Sequence, residues 1–86
     1  MDERRAVAGV NGVFVVVSDQ GRIYYVDGAE GGFVPAGTLP SEAGPFSVAC
    51  SVNAGVESCV IAGSTGRIWR GPVRPLGQSF REVTKA

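Results

Sequence analysis

The sequence predicts an all-β protein built from two copies of a four-stranded antiparallel unit. A segment repeats at an offset of 45 residues, and short apolar or β-branched runs alternate with turn residues. No run shows the 3.6-residue apolar spacing of a helix. At 86 residues the chain has the size of one small domain with limited buried area. We therefore expect a single domain whose units cover about residues 5–40 and 46–86.

The repeat is clearest in one tetrapeptide. It reads Gly21-Arg22-Ile23-Tyr24 in the first copy and Gly66-Arg67-Ile68-Trp69 in the second. Downstream, Phe33 has its counterpart in Phe80. A period of about 40–50 residues with short strands is typical of the blades of a β-propeller. The sequence therefore predicts two propeller blades.

The first copy divides into strands at its turn residues. The predicted strands are Arg5–Val10, Val13–Ser18, Arg22–Asp27 and Phe33–Thr38. Asn11-Gly12 favours a tight type I′ hairpin, because both positions of that turn need positive φ. The run Val13–Val17 is apolar without a break, which predicts a strand covered on both faces.

The second copy follows the same scheme. Its predicted strands are Phe46–Val52, Ser58–Ala62, Arg67–Gly71 and Ser79–Thr84. A two-residue loop at Ala54-Gly55 would place Cys50 opposite Cys59 in a non-hydrogen-bonded pair, within disulfide range. A longer loop or a shift of one residue would separate them.

The charged N-terminal segment does not resemble a secretion signal, so we expect a cytoplasmic protein. In that compartment the two cysteines would be buried free thiols.

Both copies resemble degenerate blade repeats of the sialidase-like propellers, the Asp-box type found in photosystem-assembly and sortilin-type proteins. In that family a Gly-x-Ile-aromatic strand precedes an Asp-Gly-Gly-rich turn and an aromatic that opens the last strand. The tetrapeptides fit the third strand, and the stretch from Asp27 to Phe33 resembles a lengthened form of the turn. The second copy departs from the pattern, with Pro72–Phe80 in place of the acidic turn.

The resemblance implies architecture more than activity, because one fold hosts many functions. A sialidase would need three convergent arginines, a tyrosine nucleophile with a glutamate partner, and an acid. No residue here matches those positions, so we expect no enzymatic activity and name no catalytic residue.

Four residues are candidate ligand contacts, each with a structural alternative. Tyr25 and Trp69 could stack on a sugar, and Arg22 and Arg67 could hold an anion. For Trp69 and its counterpart Tyr24, packing between blades is the favoured interpretation, which leaves Tyr25 as the freer ring. For the two arginines, pairing with a neighbouring carboxylate or carbonyl is favoured.

Composition narrows the partners. Eight basic and eight acidic residues give a net charge of zero, which argues against nucleic acid. No apolar stretch approaches the roughly 18 residues of a membrane span, so no membrane partner is expected. The sequence has no His, and its two cysteines do not form a zinc quartet. Asp19 and Asp27 are interpreted as turn caps, and no metal or cofactor is expected.

Two blades cannot close a ring, since propellers typically have about 4–8. We therefore expect a homo-oligomer, a trimer in preference to a tetramer, with Val15, Val17 and Val60 beneath the contact between chains. The favoured function is a non-catalytic binding module, with carbohydrate as a lectin-like ligand. The alternative is a structural or protein-interaction scaffold, or a fragment of a larger propeller, with no small-molecule site.

Overall fold

A computed structural model describes residues 5–29, 31–73 and 80–83. They form two four-stranded antiparallel sheets, each with its strands in sequence order, which confirms the predicted all-β class. The first sheet contains β1 (Arg5–Val10), β2 (Val13–Ser18), β3 (Arg22–Asp27) and β4 (Phe33–Thr38). The second contains β5 (Phe46–Asn53), β6 (Val56–Gly63), β7 (Ile68–Pro72) and β8 (Arg81–Glu82).

The turn residues set the strand bounds. Asn11 and Gly12 have φ of 49° and 83°, as the predicted type I′ turn requires, and all four strand ranges of the first sheet are confirmed. Ala54 and Gly55 adopt the same pair of positive φ values, 52° and 79°, so β5 and β6 pair right up to a two-residue loop. These two strands are therefore longer than predicted. Residues 79 and 84, the predicted ends of the last strand, lie outside the described residues.

One face of each sheet packs against the other sheet, and we call these the inner faces. Burial and strand register assign the following buried side chains to them: Val13, Val15, Val17, Ile23, Tyr25 and Ala36 in the first sheet, and Cys59, Ile61, Trp69 and Val73 beside the second. Alternation along each strand points every second side chain away from this core.

Two expectations about valines need correction. Val15 and Val17 lie between the two sheets of one chain, so they cannot lie beneath a contact between chains. The expectation that β2 is covered on both faces is also wrong for a single chain, because Phe14 on its other face is 42% exposed. Val60, by contrast, points outward, since it pairs with Ala49 and Arg70 on the opposite face from Cys59.

The connection between the sheets is anchored to both of them. The Leu39 N–H donates to the Gly21 carbonyl in the β2–β3 turn, at 2.7 Å. A short 3-10 turn, Ser41–Ala43, follows, and the Ala43 carbonyl accepts from the Ser64 N–H in the β6–β7 turn at 2.9 Å. Leu39 and Ala43 are both buried, so the connection is part of the core.

Cys50 and Cys59 form a disulfide bond. The two-residue loop puts them directly opposite each other with Cα atoms 4.0 Å apart, which is the alternative that the register allowed. The expectation of free thiols is therefore wrong. Disulfides are typical of oxidising compartments. The cytoplasmic location stays a prediction.

Gly21 and Gly66 occupy equivalent turns with φ of 88° and 91° but have different surroundings. A Cβ at Gly21 would overlap the Leu39 carbonyl, whereas a Cβ at Gly66 meets nothing within 4 Å. We expect Gly66→Ala to lower the free energy of unfolding by about 1 kcal/mol through backbone strain. Gly21→Ala should cost at least about 2 kcal/mol, because the connection must also move. Urea unfolding of both variants tests this, and equal losses would contradict it.

The disulfide closes a short loop, with a sequence separation of 9. Reduction should lower the free energy of unfolding by about 2–3 kcal/mol, since a loop of this size limits the unfolded chain by that much. A Cys50→Ala/Cys59→Ala variant should show the same loss and no further response to reductant. Thiols that titrate in the unreduced, denatured wild type would contradict the bond.

Candidate functional site

The side of the first sheet that points away from the core is largely apolar, and we call it the first outer face. Its apolar side chains are Val7, Phe14, Val16, Tyr24, Val26, Phe33 and Pro35, and the polar Arg22 and Thr38 lie at one end of it. Val7 is 57% exposed and Phe33 is 60% exposed. The Tyr24 and Phe33 rings meet edge to face at 5.9 Å, which spreads aromatic surface across β3 and β4. Monomers rarely leave apolar patches larger than about a few hundred Å² in water, so this face is a candidate interaction site.

The second sheet also has an outward side, which we call the second outer face. Its side chains are Ser47, Ala49, Ser51, Val56, Ser58, Val60, Ala62, Ile68, Arg70, Pro72, Arg81 and Val83. It is mixed, with Val56, Ile68 and Val83 exposed among serines and two arginines. A groove of about 410 Å³ crosses it between Val56 and Val83.

Arg70 and Arg81 stand opposite each other on β7 and β8 and both line this groove. Within residues 5–29, 31–73 and 80–83, no carboxylate pairs with either guanidinium. Like charges directly across a strand pair repel. Among the described residues the two guanidinium groups therefore face each other without a paired carboxylate, although Glu57 also lines the groove.

Tyr25 is buried, contrary to the prediction that it presents a free ring. Its exposed fraction is 0%, its hydroxyl donates to the Pro72 carbonyl, and its ring lies 6.1 Å from that of Phe80. Burial raises the pKa of the phenol to about 12. Because β3 turns Tyr24 outward and Tyr25 inward, Tyr25 joins the sheets and offers no sugar platform.

Trp69 and Arg67 are also occupied within the chain. Trp69 is buried between the sheets, with its ring edge to face with Phe46 at 6.1 Å. Arg67 forms a bidentate salt bridge with Glu82, with Nη2–Oε1 and Nε–Oε2 distances of 2.7 and 2.9 Å. Its guanidinium lies 5.1 Å from the Trp69 ring centre. The hydrogen bond to Glu82 raises the pKa of Arg67. Arg67 thus matches the structural alternative, pairing with a carboxylate.

Arg22 is the one ligand candidate with an exposed side chain in this chain. It lies on the rim of a shallow depression of about 200 Å³ formed with Tyr24, Pro35 and Thr38. Tyr24, expected to pack between blades as Trp69 does, instead lies half-buried on the first outer face. The structure therefore places Arg67 against Trp69, buries Tyr25 apart from them, and leaves Arg22 beside an open depression.

The repeat relates the outer faces to the inner ones. At the 45-residue offset, the outward Phe14, Val16 and Tyr24 correspond to the buried Cys59, Ile61 and Trp69. Conversely, the buried Val15, Val17 and Ile23 correspond to the outward Val60, Ala62 and Ile68. Each outer face therefore matches an inner face of the other sheet at these apolar positions, while the inward Val13 and Tyr25 correspond to the polar Ser58 and Arg70.

The turns are capped by side chains rather than arranged around a metal. Asp27 caps as predicted, since its carboxylate accepts from the Ala29 N–H at 2.9 Å. In the β2–β3 turn Ser18, not Asp19, accepts from the N–H groups of Gln20 and Arg22. The described residues contain no cluster of acidic or cysteine side chains that could hold a metal ion.

In the part of the chain that the structure describes, no helix is long and apolar enough to span a membrane.

Sequence reasoning missed Phe14, Arg70 and Arg81. Phe14 lies within the unbroken apolar run of β2, so the sequence shows no polar and apolar alternation that would identify its outward residues. Only the position of the other sheet shows which face of β2 is exposed. A signal for Arg70 existed, because at the 45-residue offset it stands where the first copy has Tyr25.

No protein-family model, characterised protein or solved structure matches the chain.

Titration of Tyr25 should make stability fall at high pH. The unfolded phenol loses its proton from about pH 10, while the folded phenol keeps it to about pH 12. Between these values the unfolded state binds fewer protons, so the free energy of unfolding should drop as pH rises, by on the order of 2–3 kcal/mol in total. Tyr25→Phe should flatten this decline, since the variant lacks the buried phenol. Parallel declines in urea unfolding from pH 9 to 12 would contradict the assignment.

Proposed function

We propose that this chain is a non-catalytic, self-associating module that supplies two blades of a propeller ring. The observation that carries the proposal is the correspondence between outer and inner faces. The second outer face matches the first inner face at Val60, Ala62 and Ile68, and the first outer face matches the second inner face at Phe14, Val16 and Tyr24. The second outer face of one copy can therefore pack on the first outer face of the next as the two sheets of one chain pack together.

Such a contact joins two different surfaces. An open assembly therefore keeps one first outer face and one second outer face free at its two ends until the ring closes. Three copies would give six blades and four copies eight, both within the usual range, and the trimer is the preferred form. The resemblance to sialidase-like repeats implies the same arrangement. Burying the exposed parts of Phe14, Tyr24 and Ile68 would remove further apolar surface from water. Each side chain would contribute less than the roughly 1.5–3 kcal/mol of complete burial, because a single chain already covers part of it.

The contacts favour a scaffold over a lectin. Tyr25 and Trp69, the two rings considered as candidate sugar contacts, are buried in the core. The remaining depression, beside Arg22 and Tyr24, belongs to the first outer face that the next copy would cover. The ring and a carbohydrate thus compete for one surface, so a glycan array and a mass measurement on the same sample distinguish them.

Light scattering and sedimentation velocity on the wild type should give about three times the 8.9 kDa chain mass at micromolar concentration. Phe14→Glu should remove the first outer face from association, and Val60→Glu the second, because each places a carboxylate in an apolar contact. Each variant alone should be monomeric. Far-UV circular dichroism should be unchanged, since both side chains point outward.

Mixing the two variants provides a sharper test. The Phe14→Glu copy keeps its second outer face and the Val60→Glu copy keeps its first, so together they should form a heterodimer and go no further. Ser41→Glu, an exposed change on the connection between the sheets, should keep the wild-type mass. A monomeric wild type would overturn the proposal. So would variants that still dimerise alone, because pairing would then be between like faces.

A further inference from the structure

We infer that Arg70 aligns one copy on the next, with its guanidinium stacked on the Phe33 ring of the neighbouring copy and donating to the Asp27 carbonyl there. This inference rests on the proposed ring. It names the polar contact that an otherwise apolar junction would use to set its register.

The contact between the sheets inside one chain provides the template. Tyr25 crosses from the first sheet, donates its hydroxyl to the Pro72 carbonyl and packs against Phe80. At the 45-residue offset, Tyr25 corresponds to Arg70 and Pro72 to Asp27, while Phe33 is the counterpart of Phe80. Arg70 and Phe33 thus lie on the two outer faces, and the Asp27 carbonyl belongs to the backbone at the end of β3.

The chemistry of the replacements is compatible. A guanidinium, like a phenol, offers a flat surface and a donor, and arginine stacks on aromatic faces. Phe33 is 60% exposed and so is open to such stacking. The Asp27 carbonyl accepts from the Gly31 N–H at 2.6 Å and keeps a second lone pair for another donor.

Among the described residues of its own chain, Arg70 has no stacking or carbonyl contact of this kind. It faces Arg81 across β7 and β8, and among the described residues no carboxylate neutralises the pair. Stacking on Phe33 and a hydrogen bond to a carbonyl of the next copy would offset the repulsion between Arg70 and Arg81. The same residue that disfavours the open form would then favour the assembled one.

The heterodimer of Phe14→Glu and Val60→Glu copies isolates one junction for the test. Arg70→Ala goes into the Phe14→Glu copy, which contributes the second outer face, and Phe33→Leu into the Val60→Glu copy, which contributes the first. Isothermal titration calorimetry then gives dissociation constants for the parent, each change and both together. We expect each single change to raise the dissociation constant. The double change should raise it by a factor at least about five times smaller than the product of the two single factors.

Two further variants sharpen the result. Arg70→Tyr should keep the affinity within about threefold, since Tyr25 already fills the equivalent place inside the chain. Arg67→Ala is the matched control, because Arg67 bonds to Glu82 of its own chain, and its effect should multiply with that of Phe33→Leu. If no heterodimer forms, the ring itself is refuted and this contact with it. If the heterodimer forms but Arg70 and Phe33 act independently, this contact alone is refuted.

Discussion

The packing of the two inner faces is the interaction on which the rest of the structure depends. Each sheet alone is a four-stranded meander with one side it cannot leave in water, and a small domain gains little stability from any other source. Tyr25 shows how closely the two sides fit, since it fills apolar space with its ring and also satisfies the Pro72 carbonyl. A buried hydroxyl without an acceptor would have cost about 1–3 kcal/mol.

This packing also explains why the outer faces are informative. Strand alternation makes every four-stranded sheet two-sided, and here the outward side of the first sheet is also largely apolar, with Arg22 and Thr38 at one end. Phe14, next to the fully buried Val13 and Val15, is the clearest case. In a sheet meant to face water, polar residues would occupy these positions. The composition of β2 thus suits a strand that is covered on both faces, and a single chain covers one of them.

Turn chemistry made much of the fold predictable, and the inner and outer faces were harder to predict. Asn11-Gly12 and Gly21 placed the strands of the first sheet residue for residue, because positive φ restricts the choice of side chain. Turn chemistry does not predict which of the adjacent Tyr24 and Tyr25 points into the core. Alternation says only that they point in opposite directions, and the inward direction depends on where the second sheet lies. The disulfide likewise depended on a loop length that local residues left open.

The connection from Leu39 to Ala43 has a consequence for symmetry. The connection is hydrogen-bonded to the turn at Gly21 on one side and to Ser64 on the other. These contacts fix the rotation that relates the two sheets of one chain. A copy that docks in the same way must repeat that rotation, so the angle between the sheets determines the order of the rotation axis. A tightly held connection would then select one ring size, and a lengthened one would allow several.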